Sequence, residues 1–228
     1  MTTQTIIFDL DGTLVDSAPG ILAGYKLAFD QCGLQPKVPL ESNLIGPPMR
    51  ETMAMVAGVS DPHTLEKLIS AFKEAYDGSG CLQTPAFEGV EAMMQELKAR
   101  GIQLFIATNK RAYPTHKIMA HLGWNHYFEG VYGPDSFDPP KANKAALIKQ
   151  IMQDHHLDSQ TTLYVGDRDE DGHASQANHL NFLFASWGYG LDHPPSEQRG
   201  VNPKKGAAAS AAWTVAATPD SVLTLALA

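Results

Sequence analysis

Four short runs of apolar and β-branched residues recur along this chain and constrain its fold more than any other feature. The runs are near-continuous rather than alternating, which is typical of strands buried on both faces of a sheet. Helical patterns at 90–99 and 145–153 lie between them. Strands that alternate with helices predict a doubly wound, Rossmann-like α/β core with a parallel sheet. The predicted strands are Thr5–Phe8, Ile102–Ala107, Thr161–Val165 and Leu180–Ala185.

The stretch from Ser17 to Pro85 breaks this alternation, because it has helical patterns and no convincing strand. Turns that contain glycine and proline join its predicted helices, which are 21–32, 49–57 and 64–76. Because the stretch falls between the first and second predicted strands, we expect a small helical cap inserted after the first strand. The predicted division is a core of residues 1–16 and 86–228 and a cap of residues 17–85.

Size and charge narrow the class of protein. The chain has 228 residues and a formal net charge of −8, which leaves no basic excess for a nucleic acid partner. The first residues have neither the basic start nor the apolar stretch of a signal peptide, and no run is long enough to cross a membrane. We therefore expect a soluble cytoplasmic protein. Cys32 and Cys81 have no metal-ligand or redox spacing, so reduced thiols are favoured over a disulfide.

Polar residues follow three of the four predicted strands. Asp9 follows the first strand, Thr108 and Asn109 follow the second, and Asp167 follows the third. The carboxyl ends of parallel strands meet at one edge of the sheet, which is where open α/β folds place their sites. The sequence therefore predicts a functional site built from these residues.

The segment after the first strand carries two carboxylates, Asp9 and Asp11, followed by Gly12. Gly12 supplies the backbone freedom for a turn that brings both acids to one ligand. A carboxylate can attack phosphorus to form an acyl phosphate, and a second acid can protonate the leaving oxygen and then activate water. Taken alone, Asp-Gly would indicate an ordinary turn.

A second acidic segment, 166–172, is predicted to be a loop after the third strand. Asp167, Asp169 and Asp171 fit the opening of a calcium-binding EF-hand, but the twelfth position is Asn178 instead of glutamate. A magnesium site at the sheet edge is the better interpretation. Phosphoryl transfer also needs donors and a fixed positive charge, which Thr108 and a lysine can supply.

Taken together, these segments resemble the motifs of the haloacid dehalogenase-like hydrolases that have a helical cap, and within them the phosphoglycolate phosphatase-like branch. The resemblance spans nearly the whole chain. It includes Leu44 to Met49 in the predicted cap, Phe87 to Val90 at the hinge and Trp187 to Gly190 after the fourth strand. The four main motifs are Asp9 to Ser17, Ile106 to Lys110, a lysine at 144 or 141, and Gly166-Asp167 followed by Asp171.

The resemblance implies a role for each matching residue. Asp9 would be the nucleophile and a Mg²⁺ ligand, and Asp11 the acid/base that also gives its backbone carbonyl to the metal. Asp167 would be a further ligand, and Asp171 would act directly or through water. Thr108 and Asn109 would belong to the phosphate-binding second motif.

The third motif can fall on either Lys141 or Lys144. Lys141 follows two prolines that hold the chain extended. Lys144 opens the apolar periodicity of the next helix, where a phosphate would also meet the free N–H groups of the first turn. The segment after Lys144 resembles the third motif of this branch, which favours Lys144 as the catalytic lysine.

The resemblance therefore predicts a Mg²⁺-dependent phosphatase that hydrolyses a small phosphorylated metabolite through an aspartyl phosphate. Phosphoglycolate, 5′-nucleotides, sugar phosphates and pyrophosphate remain open as substrates, with specificity expected near Gly46 to Arg50. A phosphomutase, a phosphonate hydrolase and a non-catalytic binding protein are the alternatives. Residues 193–212 depart from the family pattern and are predicted to form a flexible surface loop. The sequence does not indicate an oligomeric state.

Overall fold

The structure is a computed structural model that describes residues 3–192 and 213–227. A parallel sheet forms its centre, with the strand order β3-β2-β1-β4-β5-β6. This confirms the predicted α/β fold with a parallel sheet. The predicted surface loop 193–212 lies outside the described residues. The strands are β1 Thr5–Phe8, β2 Gln103–Ala107, β3 Gly130–Tyr132, β4 Thr162–Gly166, β5 Asn181–Ala185 and β6 Thr214–Ala216.

The sequence predicted four strands, and the structure adds the two edge strands β3 and β6. Each has three residues, and most of their side chains are partly or fully exposed. Such short segments contain no continuous apolar run, so they lack the signal that identified the four central strands.

Helices cover both faces of the sheet. Alternate residues of a strand point to opposite faces, and β1 shows the consequence. Ile6 and Phe8 join a hydrophobic cluster with residues of α4, α5 and α8, whereas Ile7 packs in a second cluster with residues of α6 and α7. The helices are α1 Ala18–Cys32, α2 Met49–Ala57, α3 Pro62–Gly78, α4 Val90–Ala99, α5 Ala112–His121, α6 Lys144–Asp154, α7 Asp169–Ala177 and α8 Pro219–Ala226.

The first three helices lie between β1 and α4 in the chain and pack against one another. Gly24 of α1 permits close packing on α3, because an added Cβ would lie 3.0 Å from the ring of Phe72. The chain leaves β1 and returns to α4 along adjacent segments, where the Asp16 amide donates to the Pro85 carbonyl at 2.8 Å. We retain residues 17–85 as the proposed cap on the basis of this arrangement.

The acidic segment 166–172 is partly helical, which corrects the prediction of a loop. Helix α7 begins at Asp169, and the carboxylate of Asp171 accepts from the Arg168 amide at 3.0 Å. Acidic residues in a first turn are favourable for a helix because they face its positive end. The sequence did not indicate a helix here because this polar segment has no apolar residues at helical spacing.

The strand order reverses at β1, which has β2 on one side and β4 on the other. The crevice at such a reversal is the usual ligand site of an open α/β sheet. Asp9 follows β1 and Asp167 follows β4, so both predicted site residues emerge there. Within the described ranges, the helices are too short or too polar to cross a membrane.

Candidate active site

Three buried carboxylates converge at the crevice. Asp9, Asp167 and Asp171 each offer one oxygen atom, and these atoms all lie within 4.8 Å of one another. The cluster joins the end of β1 to the end of β4 and the first turn of α7. The structure therefore brings Asp9 to two acids that lie 158 and 162 positions further along the chain.

Lys144 lies inside this cluster and is only 3% exposed. Its ammonium group lies 3.0 Å from Asp9 Oδ1 and 2.6 Å from Asp171 Oδ1. Asp171 also accepts from the Tyr164 hydroxyl at 3.3 Å. Since the side chain of Asp171 is fixed by these groups and by the Arg168 amide, it orients Lys144 toward Asp9.

Lys141 lies elsewhere. Its ammonium group donates to Gln150 at 2.8 Å and lies 5.0 Å from the centre of the Phe137 ring. Lys144, the first residue of α6, is the lysine that contacts the acidic cluster. We therefore keep Lys144 as the candidate for the catalytic lysine.

Gly12 lets the first loop approach Asp167 closely. Its φ is +83°, and an added Cβ would lie 2.2 Å from Asp167 Oδ2. Asp167 accepts from the Tyr189 amide at 2.8 Å and from the Thr13 hydroxyl at 3.4 Å. The Asp167 carboxylate is thus held by the loop after β1 and by the segment after β5.

Asp11 has a partner to which the sequence analysis gave no role. The Lys110 ammonium lies 3.1 Å from Asp11 Oδ2 and donates to the Tyr76 hydroxyl of α3 at 2.7 Å. Lys110 directly follows Thr108 and Asn109, so its position after β2 was a signal that it could reach the site. Its link to Tyr76, 34 residues away, depends on tertiary packing.

Thr108 and Asn109 are placed differently from each other. Thr108 is buried, and its hydroxyl oxygen accepts from the Lys110 amide at 3.2 Å. Asn109 donates to the Gly46 carbonyl at 3.0 Å and to Glu170 at 3.1 Å. Both residues line the cavity described below, but the amide of Asn109 is engaged with the loop 42–48 of the proposed cap.

Arg168 is a second residue to which the sequence gave no role. Its guanidinium donates to the carbonyls of Ser42 at 3.0 Å and Ile45 at 2.6 Å. Arg168 directly follows Asp167, so the same turn that positions the acid also binds the cap loop. Its position in the acidic motif was the sequence signal that could have indicated a role at the site.

The carboxylates perturb one another. Burial raises the pKa of Asp9 well above its ordinary value, and although Lys144 opposes this rise, the other acids of the cluster add to it. Burial, followed by the charge of Asp171, raises the pKa of Asp167 to about 7. Burial alone would lower the pKa of Lys144, but Asp171 and Asp9 outweigh it and raise that pKa. The cluster therefore favours additional positive charge.

These residues fit a divalent cation. Magnesium prefers carboxylate and carbonyl oxygen ligands, and the cluster offers carboxylates from Asp9, Asp167 and Asp171. Lys144 supplies one positive charge to these three carboxylates, with its ammonium 3.0 Å from Asp9 Oδ1. A divalent cation would offset the negative charge that Lys144 leaves unbalanced.

A cavity of about 320 Å³ adjoins the acidic cluster. Asp9, Asp11 and Lys144 line one part of it, together with residues 108–111, Pro114 and Pro134. Residues of α1, α2, α3 and the loop 42–48 line the other part. A phosphate at the cluster would thus have its remaining groups enclosed by the proposed cap.

A parallel sheet with buried carboxylates and a lysine where its strand order reverses has the ligand site typical of an open α/β fold. The family model described as haloacid dehalogenase-like hydrolase matches residues 6–185. The chain belongs to this family, which confirms the resemblance read from its motifs.

Individual relatives give further detail. The phosphoglycolate phosphatase of Xanthomonas campestris is 32% identical over 203 residues, which cover 87% of this chain and 90% of that protein. The tyrosine-protein kinase PtkA of Mycobacterium tuberculosis is 32% identical over 189 residues, which cover 82% of this chain. The chain spans 63% of the length of PtkA. The crystal structure of a predicted phosphatase from Clostridium acetobutylicum has a TM-score of 0.81 at 24% identity and covers 99% of each chain, which shows the same fold.

Proposed function

We propose that this protein is a Mg²⁺-dependent phosphatase that transfers phosphate from a small phosphomonoester to Asp9 and then to water. The observation that carries the proposal is the convergence of Asp9, Asp167 and Asp171, with the Lys144 ammonium against Asp9 and Asp171, beside a cavity of about 320 Å³. The name of the X. campestris relative, phosphoglycolate phosphatase, supports the same reaction class.

In the first step, a carboxylate oxygen of Asp9 attacks phosphorus, and the bond from phosphorus to the leaving oxygen breaks. Asp11 donates its proton to that oxygen, so an alcohol leaves. Lys144 and the Thr108 hydroxyl stabilise negative charge on the other phosphoryl oxygens. Lys110 holds Asp11 in place, because its ammonium lies 3.1 Å from the carboxylate and is itself anchored by Tyr76.

In the second step, Asp11 accepts a proton from water, and the water oxygen attacks phosphorus. The bond between phosphorus and Asp9 breaks, which releases inorganic phosphate and restores the carboxylate. Asp9, Asp167, Asp171 and the Asp11 backbone carbonyl would hold Mg²⁺, with Asp171 acting directly or through water. When bound, Mg²⁺ neutralises the acidic cluster so that a phosphate dianion can approach it.

Phosphate release from a panel of phosphorylated metabolites tests this proposal. The panel contains phosphoglycolate, 5′-nucleotides and sugar phosphates, and each is assayed with Mg²⁺ and with excess chelator. The proposal predicts release from at least one ester with Mg²⁺ and none in chelator. Absence of release from every ester, with bound Mg²⁺ demonstrated by titration, would contradict it.

A further inference from the structure

The cavity beside the acidic cluster has a marked aromatic wall. Tyr76, Phe72 and Tyr25 line it. The ring centroids of Tyr76 and Phe72 are 5.3 Å apart with nearly parallel planes, and those of Phe72 and Tyr25 are 4.9 Å apart. These residues form a continuous ladder, which we name the aromatic ladder.

The aromatic ladder begins next to the acid that would protonate the leaving group. The Tyr76 hydroxyl accepts from Lys110, whose ammonium lies 3.1 Å from Asp11. A leaving oxygen that receives a proton from Asp11 is therefore close to the first ring of the ladder. The group attached to that oxygen must extend into the space that the ladder encloses.

The loop 42–48 and α2 add further apolar surface to the cavity. Its volume of about 320 Å³ lies at the lower end of the range of roughly 300–1,000 Å³ found for small-molecule sites. A two-carbon leaving group would leave most of this space unfilled. The apolar lining residues from this part of the chain are Leu44, Ile45, Pro47, Pro48 and Met49.

Cations near the acidic cluster are already paired. Among the described residues that line the cavity, Lys110 pairs with Asp11. Arg111 pairs with Asp77 at 2.5 Å through Nη2, while its Nε is buried without a hydrogen-bond partner. Arg50 pairs with Glu66 and is more than half exposed. Lys73 also lines the cavity but is exposed to solvent. A carboxylate on a short leaving group would meet paired cations close to Asp11, whereas an aromatic ring would meet apolar surface.

We propose that the cavity selects phosphomonoesters whose leaving group carries a planar aromatic ring on a short linker, in preference to phosphoglycolate and other small polar esters. The rings of the aromatic ladder are only 2–4% exposed. The ring of the leaving group would therefore contact the ring edges that the ladder presents to the cavity, together with the apolar side chains of the loop 42–48. This inference rests on the proposed phosphatase function, which supplies the reaction.

The test compares four esters of primary alcohols, so that their intrinsic reactivities are similar: benzyl phosphate, adenosine 5′-monophosphate, ethyl phosphate and 2-phosphoglycolate. With Mg²⁺, kcat/KM for benzyl phosphate or the nucleotide should exceed that for the other two by about tenfold or more, as expected from burial of a ring. The order of kcat/KM between benzyl phosphate and the nucleotide shows whether the cavity prefers a simple aryl group or a nucleobase. Equal or greater kcat/KM for ethyl phosphate or phosphoglycolate overturns the proposal.

Substitution of the ladder provides a second test. Phe72→Leu keeps an apolar side chain but removes the ring, and it should lower kcat/KM for the preferred aromatic ester by about two- to tenfold, mainly through KM. The loss for ethyl phosphate should be smaller. Leu27→Ala, on the 55% exposed side chain of Leu27 in α1, is the control and should change neither value. An equal loss of kcat/KM for the aromatic ester and for ethyl phosphate with Phe72→Leu would contradict a contact between the aromatic ladder and the leaving group.

Binding separates this inference from the phosphatase proposal and uses the unaltered protein. With Mg²⁺, benzylphosphonate should bind about tenfold or more tightly than phosphonoacetate, as measured by calorimetry. Tighter binding of phosphonoacetate overturns the aromatic preference. Absence of hydrolysis from all four esters contradicts the phosphatase proposal alone, because the phosphonate pair still reports the preference of the cavity.

Discussion

Lys144 carries the positive charge at the centre of the proposed site. It is buried between Asp9 and Asp171, whereas Lys141 pairs with Gln150 outside the cluster. Lys144→Ala should therefore lower kcat by roughly 10²-fold or more, the scale for loss of one charge-stabilising donor. Lys141→Ala should have a clearly smaller effect. Steady-state kinetics of the two variants check this, and the opposite order would place the motif at Lys141.

Gly12 is required for both backbone conformation and space. Gly12→Ala should greatly reduce stability or activity, because φ is +83° and the new Cβ would collide with Asp167. Gly33→Ala is the matched control, since φ is +67° but no atom lies within 4 Å. It should lower the free energy of unfolding by about 1 kcal/mol and leave activity unchanged. Denaturant unfolding measures stability and phosphate release measures activity. If Gly12→Ala and Gly33→Ala change both quantities by the same amount, the contact with Asp167 is unimportant.

The sequence was sufficient to select Asp9, Asp11, Thr108, Asn109 and Lys144 as candidates, because each follows a strand or opens a helix. Their distances could not be predicted, because they depend on the register of β1, β2 and β4. The link from Asp11 through Lys110 to Tyr76 was also inaccessible. It joins three distant segments, and no local pattern encodes such a contact.

At the scale of elements, the loop 42–48 is bound to the core by side chains that follow β2 and β4. Arg168 donates to the carbonyls of Ser42 and Ile45, and Asn109 donates to that of Gly46. Residues of this loop line the cavity, so these bonds connect the acidic motif to the proposed cap.

Arg168→Met should release the loop 42–48. The amides of Leu44 and Ile45 should exchange with solvent deuterium about tenfold faster. This change corresponds to the lower end of the free energy that hydrogen bonds from a charged donor contribute. Arg100→Met is the control, because Arg100 directly follows α4 and pairs with Glu96 of that helix. Unchanged exchange in Arg168→Met would mean that the loop is held by its other contacts.

The central elements were predictable because their signals are strong. The four apolar runs became β1, β2, β4 and β5. The bounds of β1 are as predicted, β2 and β5 begin one residue later, and β4 is shifted by one residue at both ends. Strands β3 and β6 were missed because three partly exposed residues give no period. Helix α7 was missed because its sequence, DEDGHASQA, is polar apart from its alanines. It forms through capping by Asp171 and packing on α6, β4 and β5.

At the scale of the whole molecule, the proposed Mg²⁺ site should link metal binding to stability as well as activity. Chelation should abolish phosphate release, and added Mg²⁺ should restore it. Mg²⁺ at about 100 times its Kd should also stabilise the fold by about 2.7 kcal/mol. Thermal unfolding with and without Mg²⁺ measures this, and Asp167→Asn should remove most of the shift. Full activity in excess chelator would refute the requirement for a cation.

The central claim is that Asp9 accepts the phosphoryl group. Asp9→Asn keeps the size of the side chain but replaces the attacking carboxylate with an amide that cannot form the acyl phosphate. The decisive measurement is the steady-state rate of phosphate release by Asp9→Asn with saturating Mg²⁺ and the preferred ester, on protein whose thermal unfolding shows an intact fold. The account predicts no measurable turnover. Sustained multiple turnover by this variant would contradict the covalent mechanism.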